Sequence, residues 1–435
     1  MKDAWCVCLG AYFMINYIFF QIVVSVSGYA LSYIIYLTNG TEFVGEYSKQ
    51  MGLFMLIYSL PNFGVPNLLL YRSLGTPLPA SDGRALTAIL FGGALFGAGV
   101  GIYLPGQALS FNLIFIMLTL YTFSAWVQNV TIRNRRYAIN FLLRLVFYVA
   151  PMLCLLLGPG VELAGDILPI SVMTAGSIAF AIAFVYLVTS RRNPTPESVQ
   201  PILNRENIRY SITGNLSDII NMIAYRADVI LVGYFATPTE LGYYAIAKLI
   251  CESYYLLPAS IQGYFIPAFS KIRQGDVELI DGTRMLWSLN FYAFVSFVPV
   301  AFVVLFIGYH GIFFEVCKIV MFMLVSVYSQ SVIKFLSAAF LGQGKPAFLI
   351  KISLLQTVSL LTVQALVMYI FGLTYFMLVS AISSLGILFY FENILARNFL
   401  AESRQWAFLS TPINIIRHAN LPNLILTARK VINLK

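Results

Sequence analysis

The chain has 435 residues, of which 59% are hydrophobic and only 10% charged, with a formal net charge of +9 and a mean hydropathy of +0.81. Soluble domains carry about 25% charged residues, so a soluble fold of this size is excluded. The apolar runs last about 20 residues, enough for a helix to cross roughly 30 Å of hydrocarbon, and the period-2 alternation of an outer-membrane barrel is absent.

Twelve spans are predicted, at 11–37, 51–71, 85–104, 110–131, 142–159, 168–189, 211–235, 241–267, 285–308, 316–341, 350–372 and 374–396. The fold class is therefore an all-α polytopic membrane protein. The first apolar run is long enough to span and lacks a small-residue cleavage site, so no cleavable signal peptide is expected. With the N-terminus inside, most of the 27 basic residues fall in cytoplasmic segments, while the opposite side holds Lys49 and Lys318. The positive-inside rule then places both termini in the cytoplasm. The surplus charge is a matter of topology and calls for no nucleic acid. Connections on the external side are expected to be about 5–15 residues long.

Residues 191–210 carry three prolines and several charges halfway along the chain. They read as a cytoplasmic linker between an N-terminal six-helix half (1–190) and a C-terminal one (211–396). The halves repeat each other. At an offset of 197, Gly45, Tyr47, Tyr58, Leu60 and Pro61 meet Gly242, Tyr244, Tyr255, Leu257 and Pro258. An even number of spans per half makes the repeat parallel, the arrangement of transporters that rock around a central cavity. A cytoplasmic tail, 397–435, mixes Ile413, Ile416, Leu424 and Leu426 with Arg417, Arg429 and Lys430, and reads as an amphipathic segment on anionic membrane lipids.

Five scattered cysteines and two histidines offer no ligand spacing for a metal or redox centre, and no cofactor is expected. The informative residues are ionisable groups inside spans, each costing about 2.5–3.5 kcal/mol to insert: Asp218, Arg226 and Asp228 in span 7, Lys248 and Glu252 in span 8, and Lys334 in span 10. At about 100° per residue, Asn215, Asp218, Asn221, Arg226 and Asp228 share one wet arc of span 7. Arg226 and Asp228 stand at its opposite edges and need separate partners. Lys248 and Glu252 are four residues apart and can neutralise one another. Ser326, Gln330, Lys334 and Ser337 share a side of span 10. Arg144, near the inner end of span 5, and Glu392, near that of span 12, have the reach to snorkel. Pro61, Pro66, Pro258 and Pro267 interrupt spans 2 and 8 as potential hinges, and the glycines of span 3, Gly92 to Gly101, suit close helix packing.

Arg226-Ala-Asp228 followed by Val-Ile-Leu-Val-Gly-Tyr-Phe, then Thr239-Glu240-Leu241-Gly242-Tyr243-Tyr244, and the related Glu42-Phe43-Val44-Gly45-Glu46-Tyr47 of the first half, give the chain a family likeness. It resembles the multidrug/oligosaccharidyl-lipid/polysaccharide exporter superfamily, and within it the polysaccharide repeat-unit (Wzx-type) flippases. Such flippases often carry a basic residue just before the first-half motif; Leu37-Thr38-Asn39-Gly40 has none. The resemblance implies a non-enzymatic carrier of the bacterial inner membrane. Its substrate would be an undecaprenyl-pyrophosphate-linked oligosaccharide, moved to the periplasmic leaflet by alternating access driven by a proton or sodium gradient. A polysaccharide polymerase and a chain-length regulator are the implied partners, and the glycan would feed O-antigen, capsule or exopolysaccharide. In that light Arg226 is the first choice for the pyrophosphate, because a guanidinium grips phosphate through two hydrogen bonds. Lys334, Lys248, Asn215 and Asn221 follow, and Asp218, Asp228 and Glu252 are the candidates for the coupling ion. A drug or metabolite cation antiporter of the same superfamily is the competing expectation.

Overall fold

A computed structural model of the chain describes residues 23–59, 89–99, 111–157, 175–183, 205–269, 277–342 and 346–399, apart from a few single positions within them. Every described segment is helical, and twelve stretches correspond in order to the twelve predicted spans. They are α1 (23–39), α2 (Thr41–Ser59), α3 (89–99), α4 (Phe111–Arg133), α5 (Tyr137–Leu157), α6 (175–183), α7 (Arg205–Phe235), α8 (Pro238–Phe269), α9 (Val277–Gly308), α10 (Phe313–Gly342), α11 (Pro346–Phe371) and α12 (Leu373–Phe399). Among the described residues, the four stretches Trp287–Gly308, His310–Lys334, Leu349–Phe371 and Leu373–Asn393 are long and apolar enough to cross a membrane by length and composition. Their outward faces present large apolar side chains such as Ile307, Tyr369 and Ile382, as lipid requires.

Helices run beyond the apolar windows that predict them. The connection expected over 38–50 shrinks to Gly40, whose φ of +84° breaks α1 from α2 at a single residue. Two residues, Ala236 and Thr237, separate α7 from α8, and Gly372 (φ +81°) separates α11 from α12. Only glycine takes a backbone of this positive φ at no steric cost. Hydropathy marks where a helix becomes apolar, not where its hydrogen bonding starts; Thr41, Glu42 and Lys49 are polar yet helical. Likewise α7 begins at Arg205, six residues before its predicted span.

Against the expectation that proline interrupts span 8, α8 continues as helix through Pro258 and Pro267, and α9 through Pro299. A proline removes one donor and bends the ladder; without water to receive the freed groups, the rest of the ladder holds. Pro61 and Pro66 lie outside the described residues, as do 191–204 and the tail from 400. The glycines of α3 divide. Gly93 and Gly97 are buried, alongside Ala94 and Ala98, which pack against Phe54, Ile57, Ile114, Met117 and Leu118. A Cβ built on Gly92 or Gly99, by contrast, meets nothing within 4 Å.

Compactness divides the described residues into 23–245 and 246–399, with the border inside α8. In the first unit α2 lies along α7, α4 packs on α5, and α2 also touches α4. Two glycines that are equivalent between the predicted repeats come close here: a Cβ added to Gly45 would sit 2.8 Å from the Gly242 backbone nitrogen, and one on Gly242 would collide with the Thr41 carbonyl oxygen. Beside them Thr239 Oγ1 donates to Glu42 Oε1 at 2.9 Å.

In the second unit α10 packs on both α9 and α12, and α11 on α12. Helix α11 opens into a π-helical turn over Leu360–Gln364, where the buried Gln364 donates from Nε2 to Ser383 Oγ at 2.7 Å and ties α11 to α12.

Candidate functional site

Helix α7 is the most polar of the described long helices, and it is held by packing rather than by an apolar stripe of its own. A Cβ built on Gly52 of α2 would meet the Arg226 carbonyl and Ile230 at 3.9 Å, so the backbones of α2 and α7 run close at the level of Arg226. The Arg226 guanidinium lies over the Tyr225 ring, 5.0 Å from its centroid. On the neighbouring α4, Tyr121 is a half-buried ring packed against the core of α2, α3 and α4.

Two residues on, Asp228 takes a different set of partners. Its Oδ1 accepts from the Val229 backbone N–H at 2.7 Å, and its Oδ2 accepts from the Tyr244 hydroxyl. Tyr244 stands in the second turn of α8 and is 2% exposed. Separate neighbours for the arginine and the aspartate are what their positions at opposite edges of the arc require. Asn215 is buried, and its Oδ1 has no hydrogen-bond partner among the described residues. The side chains of Asp218 and Asn221 lie outside the described residues.

The Gly40 and Thr237 end of this unit has its own polar cluster. Glu240 accepts from the backbone N–H and the hydroxyl of Thr237, both at 2.9 Å. Lys49 pairs with Glu46 at 3.6 Å and lies 5.6 Å from the Tyr234 ring centroid. Gly233 leaves room for the Lys49 stem, since a Cβ there would meet Lys49 Cδ at 2.7 Å.

The remaining predicted residues belong to the second unit. Lys248 Nζ and Glu252 Oε1 are 3.5 Å apart on successive turns of α8, with the lysine side chain 8% exposed and the glutamate 18%. Lys334 Nζ of α10 sits over the Tyr255 ring, 5.9 Å from its centroid. Serine hydroxyls predicted to share the lysine's side of the helix are buried: Ser326 Oγ has no partner among the described residues, and Ser337 Oγ donates back to the Lys334 carbonyl at 2.7 Å. A further buried polar cluster has no counterpart among the predicted residues. The Tyr254 hydroxyl lies 2.7 Å from the Asn290 carbonyl and 2.6 Å from its Oδ1.

Sequence reasoning also passes over the interior of the first unit. Tyr121 meets Tyr58 edge-on with ring centroids 4.4 Å apart, and Phe147 at 4.7 Å. Arg144 does not merely reach for the membrane surface: its Nε donates to Gln128 Oε1 of α4 at 3.2 Å. A search for charges overlooks tyrosines, which are neutral near pH 7. Their helical spacing with polar neighbours, Tyr121, Ser124 and Gln128 on α4 and Asn140, Arg144 and Tyr148 on α5, is the available signal.

The comparisons with known proteins fit this architecture. A family model described as "Polysaccharide biosynthesis protein" matches residues 109–314. No curated protein sequence matches the chain. Among solved structures, a MATE multidrug transporter, DinF-BH, solved as a complex with a ligand, superposes with a TM-score of 0.59 at 14% identity, covering 93% of this chain and 97% of that one. A second chain, described as protein A, gives 0.60 at 12% identity with the same coverage. Identities this low speak for the fold, and the fold extends over nearly the whole chain. The chain is thus a multi-pass membrane protein with the fold of these transporters, and its middle is similar to a polysaccharide-biosynthesis family.

Proposed function

We propose that the protein is a flippase that moves an undecaprenyl-pyrophosphate-linked oligosaccharide from the cytoplasmic to the periplasmic leaflet of the bacterial inner membrane by alternating access, without catalysing a reaction. The observation that carries this reading is Arg226. It is a permanent cation within α7, its guanidinium 5.0 Å from the Tyr225 ring centroid, in a chain whose middle matches a polysaccharide-biosynthesis family. A cation there is costly in lipid and is suited to a pyrophosphate headgroup, which a guanidinium binds through two charge-assisted hydrogen bonds. Asn215, buried with an open acceptor oxygen, and Asn221 lie on the same helix and would receive sugar hydroxyls. Lys334 and Lys248 are the next cations.

Asp228 is our first choice for the coupling proton or sodium, with Asp218 and Glu252 behind it. Glu252 already faces Lys248, whereas Asp228 shares its carboxylate with a tyrosine hydroxyl and a backbone N–H. Arg226→Ala and Asp228→Ala are each expected to lower surface polysaccharide at least tenfold in the producing cell, at unchanged protein abundance. Wild-type levels in both variants would overturn the site. The competing reading, a cation antiporter, takes its interest from the similar structure described as a multidrug transporter. Uptake of a fluorescent lipophilic cation by proteoliposomes of the purified protein, unaffected by Arg226→Ala, would favour it instead.

A further inference from the structure

Helix α11 carries a feature that the proposed site does not use. Its buried stripe runs through Leu349, Ser353, Thr357, Leu360, Gln364 and Met368 in steps of three or four residues. An α-helix turns about 100° per residue, so between Leu349 and Met368 a plain helix would drift roughly 100° off that line. The π-turn at Leu360–Gln364 takes the drift back. There the Ala365 N–H reaches the Leu360 carbonyl, five residues behind it, and one residue is absorbed without advancing the helix. Gln364 and Met368 therefore stay on the buried face, at 4% and 3% exposure, while Thr362, Val363 and Tyr369 are exposed.

The side chains around the turn show how it is held. The hydroxyls of Ser353 and Thr357 donate back to the Leu349 and Ser353 carbonyls, and a hydroxyl has one proton to give. The amide of Gln364 instead crosses to α12, donating to Ser383 Oγ at 2.7 Å, and Ser383 donates onward to the Ser380 carbonyl at 3.1 Å. The other end of that amide, Gln364 Oε1, is buried without a hydrogen-bond partner among the described residues. A buried acceptor left open is unfavourable, and so is a break in the α-helical ladder. The bond to Ser383 works against both. Rewinding to α-helix has a seam ready for it: each later residue moves by one place, so that Val363 and Val367 take the positions of Gln364 and Met368. Both are apolar and need no partner.

We infer that α11 is a two-register helix: the Gln364–Ser383 bond holds the π-turn, and breaking it rewinds Leu360–Gln364 as α-helix and swings the end of α11, residues 365–371, roughly a quarter turn against α12. Gly372, at φ +81°, ends the helix there and serves as a swivel with no Cβ to clash. The device lies within the helix pair, so it stands or falls separately from the headgroup reading of Arg226.

The test uses the full-length protein in lipid nanodiscs, with its five native cysteines replaced and nitroxide labels placed singly at Leu366, Val367, Met368, Tyr369 and Ile370. Oxygen dissolved in the bilayer reaches labels that face lipid, so accessibility along the series gives the rotational phase of the helix. In the parent the minimum is expected at Met368. Gln364→Leu and Ser383→Ala each remove the tie and should move the minimum one residue, to Val367. A minimum that stays at Met368 in both variants would overturn the inference. Deleting Val363 removes the absorbed residue and leaves a plain α-helix with Met368 still on the seam. In that variant the minimum should remain at Met368 whether or not Ser383→Ala is added; a minimum that still moves would show that the π-turn is not the switch. Should Gln364→Leu not fold, Ser383→Ala alone carries the first comparison, because it leaves the α11 sequence untouched.

Discussion

In residues 23–245, Arg144 Nε donates to a neutral amide oxygen, that of Gln128, and the Arg226 guanidinium lies over the Tyr225 ring. In residues 246–399, Lys248 is answered by Glu252 one turn away, and Lys334 rests on the face of Tyr255. These contacts of the first unit's two interior arginines are thus with neutral groups, while in the second unit Lys248 meets a carboxylate and Lys334 a ring face. Two kinds of charge in a membrane helix can be told apart this way. A pair such as Lys248 and Glu252 is neutral as a whole and costs less to bury. A glutamine orients a guanidinium without contributing a charge of its own.

Several substitutions would sharpen or break that contrast. The largest effect on stability is expected in the second unit. Lys248→Met leaves the Glu252 carboxylate without its lysine and should cost about 3–5 kcal/mol, read as a lower thermal midpoint in detergent. Adding Glu252→Met should recover most of that loss and keep polysaccharide export. A double variant that is stable but fails to export would show that the pair does more than neutralise itself. In the first unit, Arg226→Met should do the reverse, leaving the midpoint within a few degrees while export falls tenfold or more. Next comes the glycine crossing. Gly242→Val would place Cβ against the Thr41 carbonyl and should destabilise by about 1–3 kcal/mol, whereas Gly92→Val, in open space, should not lower the midpoint through any clash. Tyr255→Leu removes the ring beneath Lys334 and should cost about 0.5–1 kcal/mol. Smallest is Thr239→Val, which deletes an exposed hydrogen bond to Glu42 and should change stability by about 0.5 kcal/mol.

Much of the fold is legible in the sequence. Twelve spans, the absence of a soluble class and the pairing of Lys248 with Glu252 all follow from local quantities: run length, composition and the 3.6-residue period. The glycine pair at positions 45 and 242 is legible as an identity between repeats, though not as a contact. Helix ends are less well read, because Gly40 breaks the chain in one residue where hydropathy alone suggests a loop over 38–50. The α3 glycines divide for a related reason. A small residue permits close approach, but that Gly93 and Gly97 are buried while Gly92 and Gly99 face open space is decided by the whole bundle.

For the site, residue type and span position alone single out the groups that are costly to keep in a membrane, Arg226, Asp228, Lys248, Glu252 and Lys334 among them, because burial cost belongs to the residue and its surroundings along one helix. They also show that Arg226 and Asp228 could not share a partner, since helical geometry sets the two apart. Who answers each charge is a tertiary matter. Tyr244 takes Asp228 from the next helix, Tyr255 lies under Lys334, and Gln128 turns Arg144 away from the interface and into the unit. The Asp228 and Arg144 partners are each 16 positions away in sequence, on other helices, and no periodicity within one span can name them. Electrostatics falls off with distance in space rather than along the chain, so the fold alone could bring the Tyr244 hydroxyl to Asp228 and the Gln128 amide to Arg144.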